Sequence, residues 1–141
     1  SYSHYKTFIN EDKVDNARRV LRQGTEINQM MKVVGEEGTP IEDFETYLKG
    51  EFLDAVYLQQ NAFDDVDAAC SDTRQKYVFD KVDYVLTSSF SFNDKEDARR
   101  YFMHLRQKFL DWNYTAWESD EFKSQESDID TILAEKRQDD Q

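Results

Sequence analysis

Gly35-Glu36-Glu37-Gly38-Thr39-Pro40-Ile41-Glu42 separates two regular apolar patterns, and its reading decides the fold. Upstream, Val14, Ala17, Leu21, Ile27, Met30, Met31 and Val34 recur at spacings of three and four, predicting a helix from about Glu11 to Val34. Gly35 ends it, because glycine alone enters the left-handed conformation of a helix terminus without a steric cost. Downstream, Thr39 is the predicted N-cap, Pro40 the first helical residue and Glu42 the reciprocal capping partner. Ile41, Phe44, Leu48, Phe52, Ala55 and Val56 carry this second helix to about Tyr57. The stretch is therefore the acidic turn of a helical hairpin.

The rest of the chain follows the same period. Ala62 to Cys70 reads as a short helix or an irregular segment, and Ser71 as the cap of a third long helix buried through Tyr77, Val78, Val82, Val85 and Leu86. Ser88 to Phe92 breaks the period. Asn93 followed by Glu96 opens a fourth helix on Ala98, Tyr101, Phe102, Leu105, Phe109 and Trp112. Ile129, Ile132 and Leu133 anchor a short peripheral helix, with Trp117 and Phe122 holding the acidic tail against the bundle. Four glycines and one proline leave little punctuation for hairpins of strands. The expected class is all-α, a helical bundle of about four to five helices, with residues 11–117 as the bundle and 118–141 as an acidic peripheral helix and tail.

A chain of 141 residues with 20 aromatics has the length and the material for one hydrophobic core. Its 30 acidic and 18 basic residues leave a net charge of -12, an unfavourable field for nucleic acid and for anionic membrane surfaces. The charge is local: residues 35–67 carry ten acids and one base, and residues 118–141 nine acids and three bases. A single cysteine, Cys70, excludes an internal disulfide, and no apolar run approaches a membrane span. The chain reads as soluble, intracellular and reduced. Its start at Ser1, without methionine, suggests a piece of a longer chain.

Little resident chemistry is legible. None of the four glycines precedes a lysine, so the chain has no phosphate-cradling loop. His4 and His104 lack a glutamate three residues earlier, the ligand pattern of carboxylate di-iron bundles. Asp64, Asp65 and Asp67 lack the glycine and terminal glutamate of a calcium loop. No catalytic or metal-ligating residue is expected within the chain.

Two stretches are more specific. Leu58-Gln59-Gln60-Asn61-Ala62-Phe63, followed by Asp65-Val66-Asp67 and Cys70, resembles the C-terminal domain of the catalytic A (alpha) subunit of V-type and archaeal-type rotary ATPases. Val33-Val34-Gly35 with an acidic turn, and Leu58 lying 23 residues after Gly35, repeats that family's spacing. Ser1-Tyr2-Ser3 with Tyr5 resembles the point where its nucleotide-binding domain hands over to the helical one, making residues 1–10 a connector. The resemblance runs from residue 1 to about 86.

It implies that ATP or ADP with Mg²⁺ is held by the full subunit, whose phosphate loop and catalytic residues lie upstream. Gln60, Asn61, Ala62 and Phe63 would line the adenine end of that pocket, with Phe63 offering an aromatic face and the amides meeting the base edge. Stacking of this kind is worth roughly 1–3 kcal/mol, so the isolated chain is expected to bind ATP negligibly. The turn Gly35, Glu36, Glu37, Gly38, Thr39, Pro40, Ile41, Glu42 and Asp43 would press on the central stalk as a lever. The implied partners are non-catalytic B subunits in an alternating hexameric ring, the central stalk (rotor) subunits and the peripheral stalk, with no nucleic acid and no membrane insertion. The implied setting is the cytoplasmic, membrane-peripheral sector of a complex moving H⁺ or Na⁺. Three features depart from the family: Gly50 inside the second helix, Gly38-Thr39 where a more apolar tip is expected, and the aromatic extension from Asn93 with Trp112, Tyr114 and Trp117. The alternative from the residues alone is a free-standing acidic helical adaptor that binds a basic protein through residues 35–67.

Overall fold

The computed structural model describes residues 2–59 and 71–138, with side chains described from 11 to 59 and from 73 to 138. The chain is an all-α bundle: α1 (Tyr2–Val34), α2 (Ile41–Leu53), α3 (Ser71–Thr87), α4 (Lys95–Asn113) and α5 (Asp120–Lys136). A π-helical turn, Asp54–Leu58, continues α2 where an α-helix to Tyr57 was expected. The wider turn is held from outside and from within. Asn113 Nδ2 donates to the Val56 carbonyl at 3.2 Å, and Gln59 Nε2 donates to Asp54 at 2.8 Å.

Helix α1 starts earlier than the expected Glu11 and packs mainly on α2. Its buried stripe steps through Ala17, Val20, Gly24 and the half-buried Met31, whereas Met30 and Val34, expected inside, are 60% and 48% exposed. The two helices approach most closely where glycines face each other: a Cβ on Gly50 would lie 3.6 Å from the Gly24 Cα. Gly50 lies at this close approach, although a Cβ there would make only ordinary van der Waals contacts.

Helix α4 supplies the centre of the core. Ala98, Leu105, Phe109 and Trp112 are fully buried, and Phe109 meets Phe52 of α2 edge to face at 4.9 Å. The cap of α4 is Asp94, whose carboxylate accepts from the Asp97 N–H at 2.8 Å, while Asp97 accepts from the Asn93 N–H at 2.9 Å. The cap therefore sits one residue later than Asn93 and Glu96 predict, and Asp97 reaches back past the cap to the Asn93 N–H.

On α3, Val78, Val82, Val85 and Leu86 are buried as expected, joined by Phe79, while Tyr77 is 41% exposed because its hydroxyl turns out to Glu126. Helix α5 is longer than a short peripheral helix. Ser119 caps it, and Phe122, Ile129, Ile132 and Leu133 all enter the core. Trp117 and Phe122 do anchor this segment, meeting each other at 5.1 Å and Tyr77 at 5.5 and 5.8 Å. After α5 the chain pairs with the connector between α3 and α4: Ser91 N donates to Lys136 O at 2.9 Å and Gln138 N to Ser89 O at 2.8 Å, around a Phe90–Arg137 bridge.

Candidate functional site

The turn between α1 and α2 is built by its own backbone. Gly35 takes φ 84°, with its N–H donating to Met31 O at 2.8 Å, so the chain leaves α1 in a conformation that glycine alone enters cheaply. Gly38 N donates to Gly35 O at 3.2 Å and Thr39 N to Glu36 O at 3.0 Å. Thr39 is buried and its hydroxyl donates backwards to Gly35 O at 3.0 Å, closing the turn. The N-cap of α2 is consequently Pro40, with no side-chain cap, and the predicted Thr39/Glu42 box does not form. Glu42 and Asp43 instead place carboxylates in the first helical turn, where the helix dipole favours them.

Gly35, Glu36, Glu37, Gly38, Pro40, Glu42 and Asp43 are exposed and Ile41 is half-buried. The apolar surface that Gly38-Thr39 lacks is supplied from the end of α1, where Met30, Val33 and Val34 are 60%, 81% and 48% exposed. Sequence periodicity placed Met30 and Val34 in the core because it tracked hydrophobicity and not which face α2 covers. The turn also touches α4. Lys95 Nζ donates to the Glu36 carbonyl at 2.7 Å, Arg99 pairs with the Glu36 carboxylate, and the Arg99 guanidinium lies 5.2 Å from the Phe44 ring centre.

The other predicted site, Gln60, Asn61, Ala62 and Phe63, lies outside the described residues, as do Asp64, Asp65, Asp67 and Cys70. Among the described residues no group of three or more His, Cys, Asp or Glu is placed to hold a metal ion, and no helix is long and apolar enough to cross a membrane.

Two charged clusters escaped the sequence. Lys49 Nζ donates to Ser88 O at 2.7 Å and stands 3.7 Å from Glu45. Burial pushes the Glu45 carboxyl up, against the opposing pull of Lys49 and a backbone bond with Phe90, and burial pushes Lys49 down, against Glu45. This pair ties α2 to the connector before α4. Between α3 and α5, Lys81 bridges Glu126 at 2.9 Å and Asp130 at 2.7 Å. The Tyr77 hydroxyl is held protonated chiefly by its bond to Glu126 and further by burial. The first cluster pins α2 to the connector and the second pins α3 to α5.

The comparisons fit this architecture. Residues 10–91 match the family described as the C-terminal domain of V and A type ATP synthase. The chain belongs to that family. This V/A-type C-terminal domain is 52% identical over 136 residues, 96% of its length, to a protein of Treponema denticola named V-type ATP synthase alpha chain. It is 49% identical to the V-type ATP synthase alpha chain 1 of Treponema pallidum over 94% of the chain, and 48% identical to the alpha chain of Borrelia garinii over 97%. The domain spans about a quarter of these curated relatives, 23–24% of their length. No solved structure matches it. The relatives extend the likeness through the aromatic segment after Asn93, past the end of the family match, and they do not favour the free-standing adaptor.

Proposed function

We propose that this V/A-type C-terminal domain works within the catalytic alpha subunit of a rotary ATP synthase or ATPase, linking nucleotide turnover to rotor movement and to H⁺ or Na⁺ transport. The observation that carries the reading is its membership of the family, at about half identity over nearly its whole length to proteins named V-type ATP synthase alpha chain. In this reading ATP or ADP with Mg²⁺ is bound by the full subunit. Gln60, Asn61, Ala62 and Phe63 close the adenine end of the pocket. The turn Gly35–Asp43, together with Met30, Val33 and Val34, bears on the central stalk.

Two structural features support the lever role. The turn joins two helices that pack closely at Gly24 and Gly50, and the apolar Met30, Val33 and Val34 are exposed beside it. Non-catalytic B subunits flank the subunit in an alternating ring, the peripheral stalk contacts the assembly, and the whole belongs to the cytoplasmic, membrane-peripheral sector. Phe63→Ala in the full subunit tests the nucleotide role. The expected result is a raised Michaelis constant for ATP with hydrolysis otherwise intact, and an unchanged constant removes Phe63 from the pocket.

A further inference from the structure

The turn leaves α1 through a glycine at φ 84° and enters α2 without a side-chain cap; its own hydrogen bonds converge on Gly35, and none of them reaches beyond α1 and the turn itself. Two cations of α4 stand against it. Lys95 Nζ donates to the Glu36 carbonyl at 2.7 Å and Arg99 holds the Glu36 carboxylate, so one residue of the turn is gripped on both its backbone and its side chain. Arg99 is itself fixed, with its other terminal nitrogen 2.6 Å from Glu96 and its plane over Phe44. Lys95 and Arg99 lie four residues apart, hence on one face of α4, and that helix continues into the fully buried Leu105, Phe109 and Trp112.

We propose that Lys95 and Arg99 are positioning residues that brace the turn on α4, so that a load on the turn passes along α4 into the core instead of being absorbed by movement of the turn relative to α4. The proposal rests on the lever reading above. Partly exposed ion pairs stabilise weakly, but bracing needs direction more than strength. Two grips on Glu36 remove the rotation that one would leave.

The test uses the full-length subunit in its assembled complex. Lys95→Met combined with Arg99→Met removes the brace and leaves the turn's own residues unchanged. Amide exchange at Gly38 and Thr39 is expected to quicken about tenfold through local opening. Ions moved per ATP should fall several-fold, with ATP hydrolysis in the absence of an opposing gradient unchanged. Arg99→Lys, which keeps a cation between Glu36, Glu96 and Phe44, should retain both, and Arg99→Met alone, which leaves Lys95 on the Glu36 carbonyl, should lose part of both and keeps the test decisive where the double methionine variant assembles poorly. Val33→Asp with Val34→Asp reports on the lever reading separately. If the aspartate variant loses coupling while the methionine variant keeps wild-type exchange and coupling, the brace is overturned and the lever stands. Quickened exchange with intact coupling also overturns the brace, reducing it to a structural contact. If the aspartate variant keeps full coupling, the lever reading falls and takes the brace with it.

Discussion

Arg99 on α4 reaches Glu36 across 63 residues of sequence and on the way covers the ring of Phe44. The contact has two parts of different physical origin. An ion pair this exposed is worth under about 1 kcal/mol, and a cation over an aromatic ring about 0.5–1 kcal/mol. Arg99→Met should therefore lower the unfolding free energy by about 1 kcal/mol in dilute buffer. Raising the salt screens only the ion pair. Urea titrations at low and high salt should show the difference shrinking without vanishing. A difference independent of salt would assign the whole effect to Phe44.

Phe109 and Trp112 are both fully buried, yet their substitutions should differ. Phe109→Ala removes the edge-to-face partner of Phe52 and opens a cavity, at a cost of about 3–5 kcal/mol. Trp112 Nε1 is buried with no hydrogen-bond partner among the described residues. An orphaned donor of this kind costs about 1–3 kcal/mol, so Trp112→Phe offsets its lost packing by removing that donor. Thermal melts should place Trp112→Phe well above Phe109→Ala.

Two glycines give opposite expectations for alanine. A Cβ on Gly50 would meet Val20 O at 3.5 Å and the Gly24 Cα at 3.6 Å, ordinary contact distances, while helix propensity improves by about 1 kcal/mol. Gly50→Ala should be neutral or stabilising. A Cβ on Gly38 would lie 2.8 Å from Val34 O, a backbone atom that cannot move aside without disturbing the end of α1. Gly38→Ala should destabilise, and a melting temperature that rises for it would contradict the geometry of the turn.

Burial pushes the Glu45 carboxyl above its ordinary 4.5, so the folded state holds this proton more tightly than the unfolded chain. Its contribution to stability is full below pH 4.5 and is lost as the pH rises through the folded value. Glu45→Gln mimics the neutral acid and removes that dependence. Relative to the parent, the variant should gain in melting temperature as the pH is raised from 4.5 towards neutrality. A relative loss over the same interval would mean that Lys49 outweighs burial.

Helix type was legible in the sequence because it depends on local period: the expected set Ala98, Tyr101, Phe102, Leu105, Phe109 and Trp112 is buried, while Met103, off that stripe, is 64% exposed. Faces and ends were less legible. Met30 and Val34 are as hydrophobic as their buried neighbours, and only the placement of α2 decides that they stay outside. Thr39 has the chemistry of a cap, but its hydroxyl finds Gly35 O first, and the proline after it takes over the cap position. The α4 contacts to Glu36 join residues far apart in sequence, and a charge pattern in one segment carries no sign of its partner in another. Glycine, proline and spacing gave the turn as a piece of structure, whereas its reading as a stalk contact and the assignment of Gln60 to Phe63 both drew on family resemblance.

The pairing of residues 89–91 with 136–138 has a consequence for how the chain is made. Within this domain α1 and α2 are synthesised before the other helices, and their hairpin closes over a short loop at little entropic cost. Phe90 waits much longer: the strand-like partner that fixes it emerges from the ribosome only after all of α5. Until then the connector and the faces of α3 and α4 that meet α5 are open to other apolar surfaces, the state in which growing chains aggregate. The residues at and just past the end of α5 are thus the last to close the bundle during synthesis.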